Sequence, residues 1–312
     1  DGASGFYGGN FEFTYAMQPL GAPTAGMASF ETTYTGVELA LLLDTLKVDG
    51  VRPHGRATGQ NRLEWPIGDF ENRDGAGHVT VEPPDGMAVL ARGLTQAPSG
   101  DLRSYARVPF APAVGPWKFP MGGELSYTVG PEWVEIAPSR LATPLTAVEF
   151  EGRTAYGERS HLLFHLSSAN WQESDRLLAG IMTAFGTPTR EFIVGGHGEL
   201  DGVMGGSFVS PRIEAAFTGD DISAWNAMWG HGSGQITVEN GDLDVLDGIF
   251  DDGTAQFKVE GRFAIGSRTD GDEEFNARFG FVSLPAQRVR DVFRLEGYHI
   301  DGPLTGIVHL FG

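Results

Sequence analysis

Apolar and polar residues alternate with a period of two along much of the chain. Phe11, Phe13, Tyr15 and Met17 share one parity, with Glu12 and Thr14 between them. Leu125, Tyr127 and Val129 repeat the pattern after Gly122-Gly123. Phe257, Val259, Gly261, Phe263 and Ile265 point one way, and Gln256, Lys258, Glu260 and Arg262 the other. Phe275, Ala277, Phe279 and Phe281 do the same against Asn276 and Arg278. Side chains on a strand project alternately to opposite faces, so each of these strands has one apolar and one polar face. This predicts an antiparallel sheet wetted on one side, not a parallel sheet covered on both. Turn sequences punctuate the strands at Pro83-Pro84-Asp85-Gly86, Glu239-Asn240-Gly241-Asp242, Asp251-Asp252-Gly253 and Thr269-Asp270-Gly271-Asp272.

Helical spacing is confined to four short places, and the pattern predicts helices over about 36–47, 172–186, 221–229 and 285–294. Leu39, Leu42, Leu43 and Leu46 form the first stripe, behind a capping-box pair Thr35 and Glu38. Leu177, Leu178, Ile181 and Phe185 form the second, after Asn170 and Glu173; Trp225, Met228 and Trp229 form the third, after Asp220 and Asp221. Val289, Val292 and Phe293 form the fourth, with Pro285 at its start. Helices this short are marginal alone, so their apolar stripes must cap something larger. Each place is followed by two glycines four residues apart: Gly55/Gly59, Gly198/Gly202, Gly230/Gly234 and Gly302/Gly306. The four read as degenerate copies of one helix-and-strand unit, irregularly spaced, with glycines marking bends or bulges. The expected organisation is one continuous repeat-built β domain over 1–312, divisible into 1–150 and 151–312.

Composition narrows the partners. Glycine is abundant, with 45 in 312 residues, but it is not periodic in threes, which excludes collagen. The 41% of hydrophobic residues is enough for a core. With no Cys, there is no disulfide framework, thiolate metal site or Cys nucleophile. A net charge of −19 repels phosphate backbones, so nucleic acid is not an expected partner. Asp242, Asp244, Asp247, Asp251 and Asp252 cluster, yet their spacing fails the calcium-binding loop of an EF-hand. No run of 18 apolar residues occurs, and the chain opens at Asp1 without a signal-peptide pattern, which reads as a fragment or mature piece of a longer protein.

Catalytic motifs are missing. There is no nucleophile elbow, zinc-protease helix, phosphate loop or dinucleotide fingerprint, so no catalytic residue, metal or cofactor is assigned. His161 and His165 share a strand face and read as rim histidines; His197 and His231 sit in Gly-His-Gly turns. Trp65, Trp117, Trp133 and Trp171 are weighed as sugar-stacking platforms against sheet-edge packing, and packing is favoured.

Four segments carry a family resemblance: 5–9 (Gly-Phe-Tyr-Gly-Gly), 34–42 (Tyr-Thr-Gly-Val-Glu-Leu-Ala-Leu-Leu), 195–202 (Gly-Gly-His-Gly-Glu-Leu-Asp-Gly) and 298–306 (Tyr-His-Ile-Asp-Gly-Pro-Leu-Thr-Gly). This language resembles the repeats of the AsmA-like family of bacterial envelope proteins, to which TamB belongs. The resemblance implies an elongated, curled antiparallel-rich sheet with a hydrophobic groove. It also implies a periplasmic location, an inner-membrane anchor helix lying outside this chain, and a role in phospholipid transport or outer-membrane assembly. Phospholipid acyl chains would be the ligands, and an outer-membrane barrel protein a partner.

The residues alone leave the burial of the apolar face open. The sheet can close as a sandwich or barrel filled by side chains, or curl into a trough that meets acyl chains. In the second case, the lipid-binding residues are Phe11, Phe13, Tyr15, Leu125, Tyr127, Phe257, Val259, Phe263, Ile265, Phe275, Phe279 and Phe281. The expected function is a non-enzymatic, acyl-chain-sheltering segment. A carbohydrate-binding or adhesin module is the alternative, and a polysaccharide-acting enzyme is motivated only by abundant Asp and Glu.

Overall fold

Strict alternation over so many segments leaves the chain one economical solution, a broad antiparallel sheet, and that is what it forms. The computed structural model describes residues 1–18, 26–48, 50–91, 117–155, 159–184, 191, 193–207, 211–224, 227–264, 275–293, 297, 299 and 301–312. The strands are β1 (Gly2–Phe6), β2 (Gly9–Gln18), β3 (Met27–Glu38), β4 (Val51–His54), β5 (Arg56–Pro66), β6 (Asp74–Glu82), β7 (Trp117–Pro120), β8 (Gly122–Val129) and β9 (Trp133–Ala142). They continue as β10 (Thr146–Ala155), β11 (Ser160–Ser168), β12 (Gly195–Gly206), β13 (Pro211–Ala224), β14 (Ala227–Glu239), β15 (Asp242–Asp251), β16 (Gln256–Ala264), β17 (Phe275–Pro285) and β18 (Pro303–Phe311). Among the described residues, three α-helices occur: α1 (Leu39–Thr45) between β3 and β4, α2 (Trp171–Ala184) between β11 and β12, and α3 (Ala286–Phe293) between β17 and β18.

Sixteen strands form one antiparallel sheet that does not close on itself; β4 and β7 form a separate parallel pair. Apart from the strands of that pair, strand order follows chain order throughout. Such a meander follows from the short connections: hairpins at Tyr7-Gly8 and Asn240-Gly241 carry the positive φ angles of tight turns. The chain packs as two compact units whose boundary crosses β11 after Phe164 and β12 after Val203.

The helices partly match expectation. Asn170 caps α2, its side-chain oxygen accepting the Gln172 N–H at 3.0 Å, and Pro285 precedes α3 directly. The capping box ahead of α1 is corrected: Thr35 lies within β3, and Glu38 occupies the N-cap without a side-chain hydrogen bond. The helix over 221–229 is also corrected. Residues up to Ala224 extend β13 and those from Ala227 begin β14, paired through Ile222↔Gly230 and Ser223↔Met228. The three-and-four spacing there is local, and so is the hairpin ladder, whereas the seat for the Trp229 ring comes from Phe257, far along the chain.

In the second unit, the alternation holds across five strands, β13 to β17. Phe217 faces Gly234, Gly232 faces Phe250, Phe250 faces Phe257 and Phe257 faces Phe281, all on one side. Phe257 and Val259 are buried and Phe263 half-buried, while Lys258, Glu260 and Arg262 are exposed, the register the sequence predicts. On the wet face, cross-strand ion pairs form, such as Arg262 with Asp244 at 2.9 Å and Arg212 with Glu239 at 3.0 Å. Exposed pairs of this kind contribute little each; their presence keeps that face solvated.

Glycine has a second use beyond turns. Several glycines on the apolar face are seats for rings from the next strand. A Cβ on Gly232 would stand 2.6 Å from both Ile222 Cδ1 and Phe250 Cδ1, and one on Gly234 would stand 2.9 Å from Phe217 Cε1. Rings can thus lie flat over the neighbouring backbone, where any other residue would push them away from the sheet. Gly232→Ala is therefore expected to overpack and destabilise by roughly 1–3 kcal/mol. Gly5→Ala, with nothing within 4 Å of the new Cβ, is expected to stay near neutral. Chemical-denaturation midpoints of the two variants check this; equal effects would remove the seating argument.

Candidate apolar ligand site

The apolar face of the second unit ends in an aromatic cluster. Trp229 stacks on Phe257 at 4.6 Å between centroids; Phe257 also meets Phe279 at 5.6 Å and Phe250 at 6.0 Å, and Phe250 meets Phe217 at 6.2 Å. The Trp229 indole N–H donates to the Ala224 carbonyl at 3.1 Å, so its polar edge is satisfied while its ring is buried. Trp171, at the start of α2, lies over Gly219. The ends of β11, β13 and β17 fall at the same end of the antiparallel strands, so α2, Trp229 and α3 gather there.

Beside this cluster lies a cavity of about 260 Å³. Its walls come from Trp171, Val194, Leu200, Ile222, Ile236 and Leu243, with the aromatic cluster and β16 completing it. Every lining side chain is apolar, a consequence of one strand parity being apolar from β13 to β16. An apolar cavity of ~150 Å³ already stays dry and takes up benzene, so this one has room for more than a single ring.

An ion pair holds the cluster from outside. Arg288 on α3 donates to Asp252 at the β15–β16 turn and stands 5.8 Å from the Trp229 ring centroid, a cation–π arrangement. Both side chains are largely buried. Asp252 also accepts the Thr254 hydroxyl at 2.7 Å and the N–H groups of Thr254 and Ala255 at 2.9 and 2.8 Å. Burial alone would raise its pKa, but Arg288 and the three turn donors outweigh it and hold the carboxyl well below the usual carboxylate range.

Of the residues expected to meet lipid, Phe257, Val259 and Phe263 line this cavity. Phe279 and Phe281 pack against the same core, and Phe275 lies at 36% exposure opposite Phe263. Ile265 lies outside the described residues. Phe11, Phe13, Tyr15, Leu125 and Tyr127 lie on the apolar face of the first unit: Phe11, Phe13, Leu125 and Tyr127 are half-buried, and Tyr15 is exposed. There Phe13 meets Phe30 at 5.9 Å and Tyr15 meets Trp65 at 6.1 Å. Sequence reasoning missed Trp171, Phe217, Trp229, Ile236, Leu243 and Phe250. The parity of Ile213, Ala215 and Phe217 and of Leu243 and Val245 carried the signal for two of these, Phe217 and Leu243.

The polar candidates are placed as well. His165 is hydrogen-bonded through Nδ1 to Asp201 of β12 at 2.6 Å and through Nε2 to Ser167 at 3.2 Å. This is the order of an acyl-transfer relay, but it lies mid-strand, where backbone N–H groups serve the ladder rather than an oxyanion. His231 meets Asp220 at 2.8 Å. Trp133 stacks under Arg153 at 4.5 Å, and Trp65 packs edge-on to Phe70. The side chain of Trp117 lies outside the described residues. Among the described residues, no cluster of His, Asp and Glu is arranged to hold a metal, and no helix is long and apolar enough to cross a membrane.

Comparison with protein-family models, curated proteins and solved structures finds no match for this chain.

Asp252 binds its proton more weakly in the folded protein than in the unfolded chain. Its stabilisation is therefore complete above the ordinary value of 3.8 and is lost as pH falls below it. Asp252→Asn is expected to lower stability at neutral pH by roughly 1–3 kcal/mol and to flatten the loss below pH ~4. Melting curves of both proteins from pH 7 to pH 2.5 test this; parallel pH profiles would show that Asp252 carries no such linkage.

Proposed function

We propose that this chain is a non-enzymatic lipid-sheltering segment that holds acyl chains against the apolar face of its sheet. The observation that carries the reading is the all-apolar cavity of the second unit. Its lining offers no group for acid–base, nucleophilic or metal chemistry, and its walls suit an aliphatic chain. Each methylene buried contributes roughly 0.8 kcal/mol, so even half of a 16-carbon chain supplies about 6 kcal/mol before ordering losses. A sheet that is not closed supports the same reading, since closure is the alternative way to cover an apolar face. The resemblance to AsmA-like repeats extends the proposal to the periplasm of a bacterial envelope. In that setting the protein is anchored to the inner membrane and works in phospholipid transport or outer-membrane assembly, beside a barrel protein of the outer membrane.

Native mass spectrometry of protein purified from cells is expected to show bound phospholipid or fatty acid. Phe263 is the probe residue, because it lines the cavity yet is only half-buried, unlike Val259 in the packed core. Phe263→Asp is expected to stay folded and lose the bound lipid. A lipid-free wild type that takes up no fatty acid would sink the proposal. So would a Phe263→Asp variant that simply unfolds, since an unpaired charge in a closed core has that effect.

A further inference from the structure

The two apolar faces are not alike. The second unit's cavity is lined by apolar side chains alone, whereas a line of polar side chains crosses the first unit's face. Register places Thr32, Asn61, Gly77 and Tyr127 in one row across β3, β5, β6 and β8. Tyr127 reaches over Gly77, where a Cβ would stand 2.5 Å from its ring, and donates its hydroxyl to Asn61 Oδ1 at 2.6 Å. Asn61 Nδ2 donates to Thr32 Oγ1 at 3.3 Å. Tyr34, two residues on from Thr32, lies over Gly59, where a Cβ would stand 2.7 Å from its hydroxyl. That hydroxyl also faces Asn61. The two glycines thus let two phenols converge on one amide.

The row interrupts a surface that is otherwise apolar. Phe30 and Leu63 pair in the next row on one side, and Val79 and Leu125 in the next row on the other, with no charged side chain among them. Burial holds the Tyr34 phenol above its usual pKa, against the opposing contact with Asn61. Burial, with Tyr34 adding to it, does the same for Tyr127. Both hydroxyls are therefore neutral donors at physiological pH. Thr32 and Tyr34 take the two Asn61 amide protons and Asn61 takes the Tyr127 proton, which leaves the hydroxyl proton of Tyr34 to donate. A plain alkyl chain laid over this row would strip water from that donor and return nothing, which is a cost. A chain carrying one oxygen in register would satisfy it.

We infer that the row Thr32–Asn61–Tyr127, with Tyr34 beside it, is a hydrogen-bonding subsite for an uncharged oxygen, a hydroxyl or ester carbonyl, on an otherwise aliphatic ligand. The inference rests on the acyl-chain reading above and narrows it. The row selects among aliphatic ligands, because a site with polar groups to satisfy discriminates against the analogue that lacks the partner. A charged group is disfavoured there for want of a counter-charge in the flanking rows.

The test compares stearate with 12-hydroxystearate on the whole chain by competition against a fluorescent fatty acid. Both carry the same carboxylate, so the difference reads the mid-chain oxygen. Wild type is expected to prefer the hydroxylated acid about threefold to tenfold, the worth of one net hydrogen bond. Asn61→Leu is expected to abolish the preference while keeping stearate binding. Tyr34→Phe, which removes a single oxygen and leaves the ring on its glycine seat, is expected to reduce it. Equal binding of the two acids by wild type overturns this inference alone. A preference that survives in both variants also overturns it. Binding of neither acid overturns the acyl-chain reading and this inference together.

Discussion

One constraint governs the rest of this structure: a sheet with one apolar face must keep that face from water while its own edges stay unjoined. The chain meets it with side chains laid low on the sheet. Phe217, Phe250 and Phe257 lie in register with one another or with a bare glycine, and Trp229 stacks on the last of them. The glycine content is thus a packing device as much as a turn device. Each seat removes a Cβ so that a ring from the next strand settles onto backbone, and the apolar layer becomes thin and continuous. A continuous layer of that kind is also a surface on which an aliphatic chain can lie.

Electrostatics are arranged around that layer, not within it. The wet face is crossed by exposed Arg–carboxylate pairs such as Arg153–Glu135, which set no stability of their own but hold the face in water. Asp252, a carboxylate held well below its usual range, sits where the layer ends. It ties a turn, a helix and the Trp229 ring to one another through Arg288.

The two units treat the same sheet differently. The second surrounds an all-apolar cavity, which suits a chain of methylenes. The first carries a hydrogen-bonded row across its face. Its bonds join Thr32 of β3 and Tyr127 of β8 through Asn61 of β5, over the bare backbone of Gly77 in β6. In the reading proposed above, its unspent donor also gives the face a preference among ligands.

What the sequence determined by itself was parity. Phe257, Val259 and Phe263 alternate with Lys258, Glu260 and Arg262 so cleanly that only one register buries the right set. The Asn240-Gly241 turn, the Asn170 cap and the Pro285 start are equally local, because each depends on residues within one turn of one another. Tertiary structure decided the rest. Met228 and Trp229 sit at helical spacing from Trp225, which lies outside the described residues, yet they begin β14, because the Trp229 ring stacks on Phe257 and Met228 pairs with Ser223 of β13. Thr35 and Glu38 have the letters of a capping box, but pairing keeps Thr35 in β3. The polar row joins Tyr127 to Asn61 across 66 residues, and the Arg288–Asp252 pair spans 36. No local pattern announces such contacts, since they exist only once the sheet has brought distant strands into register.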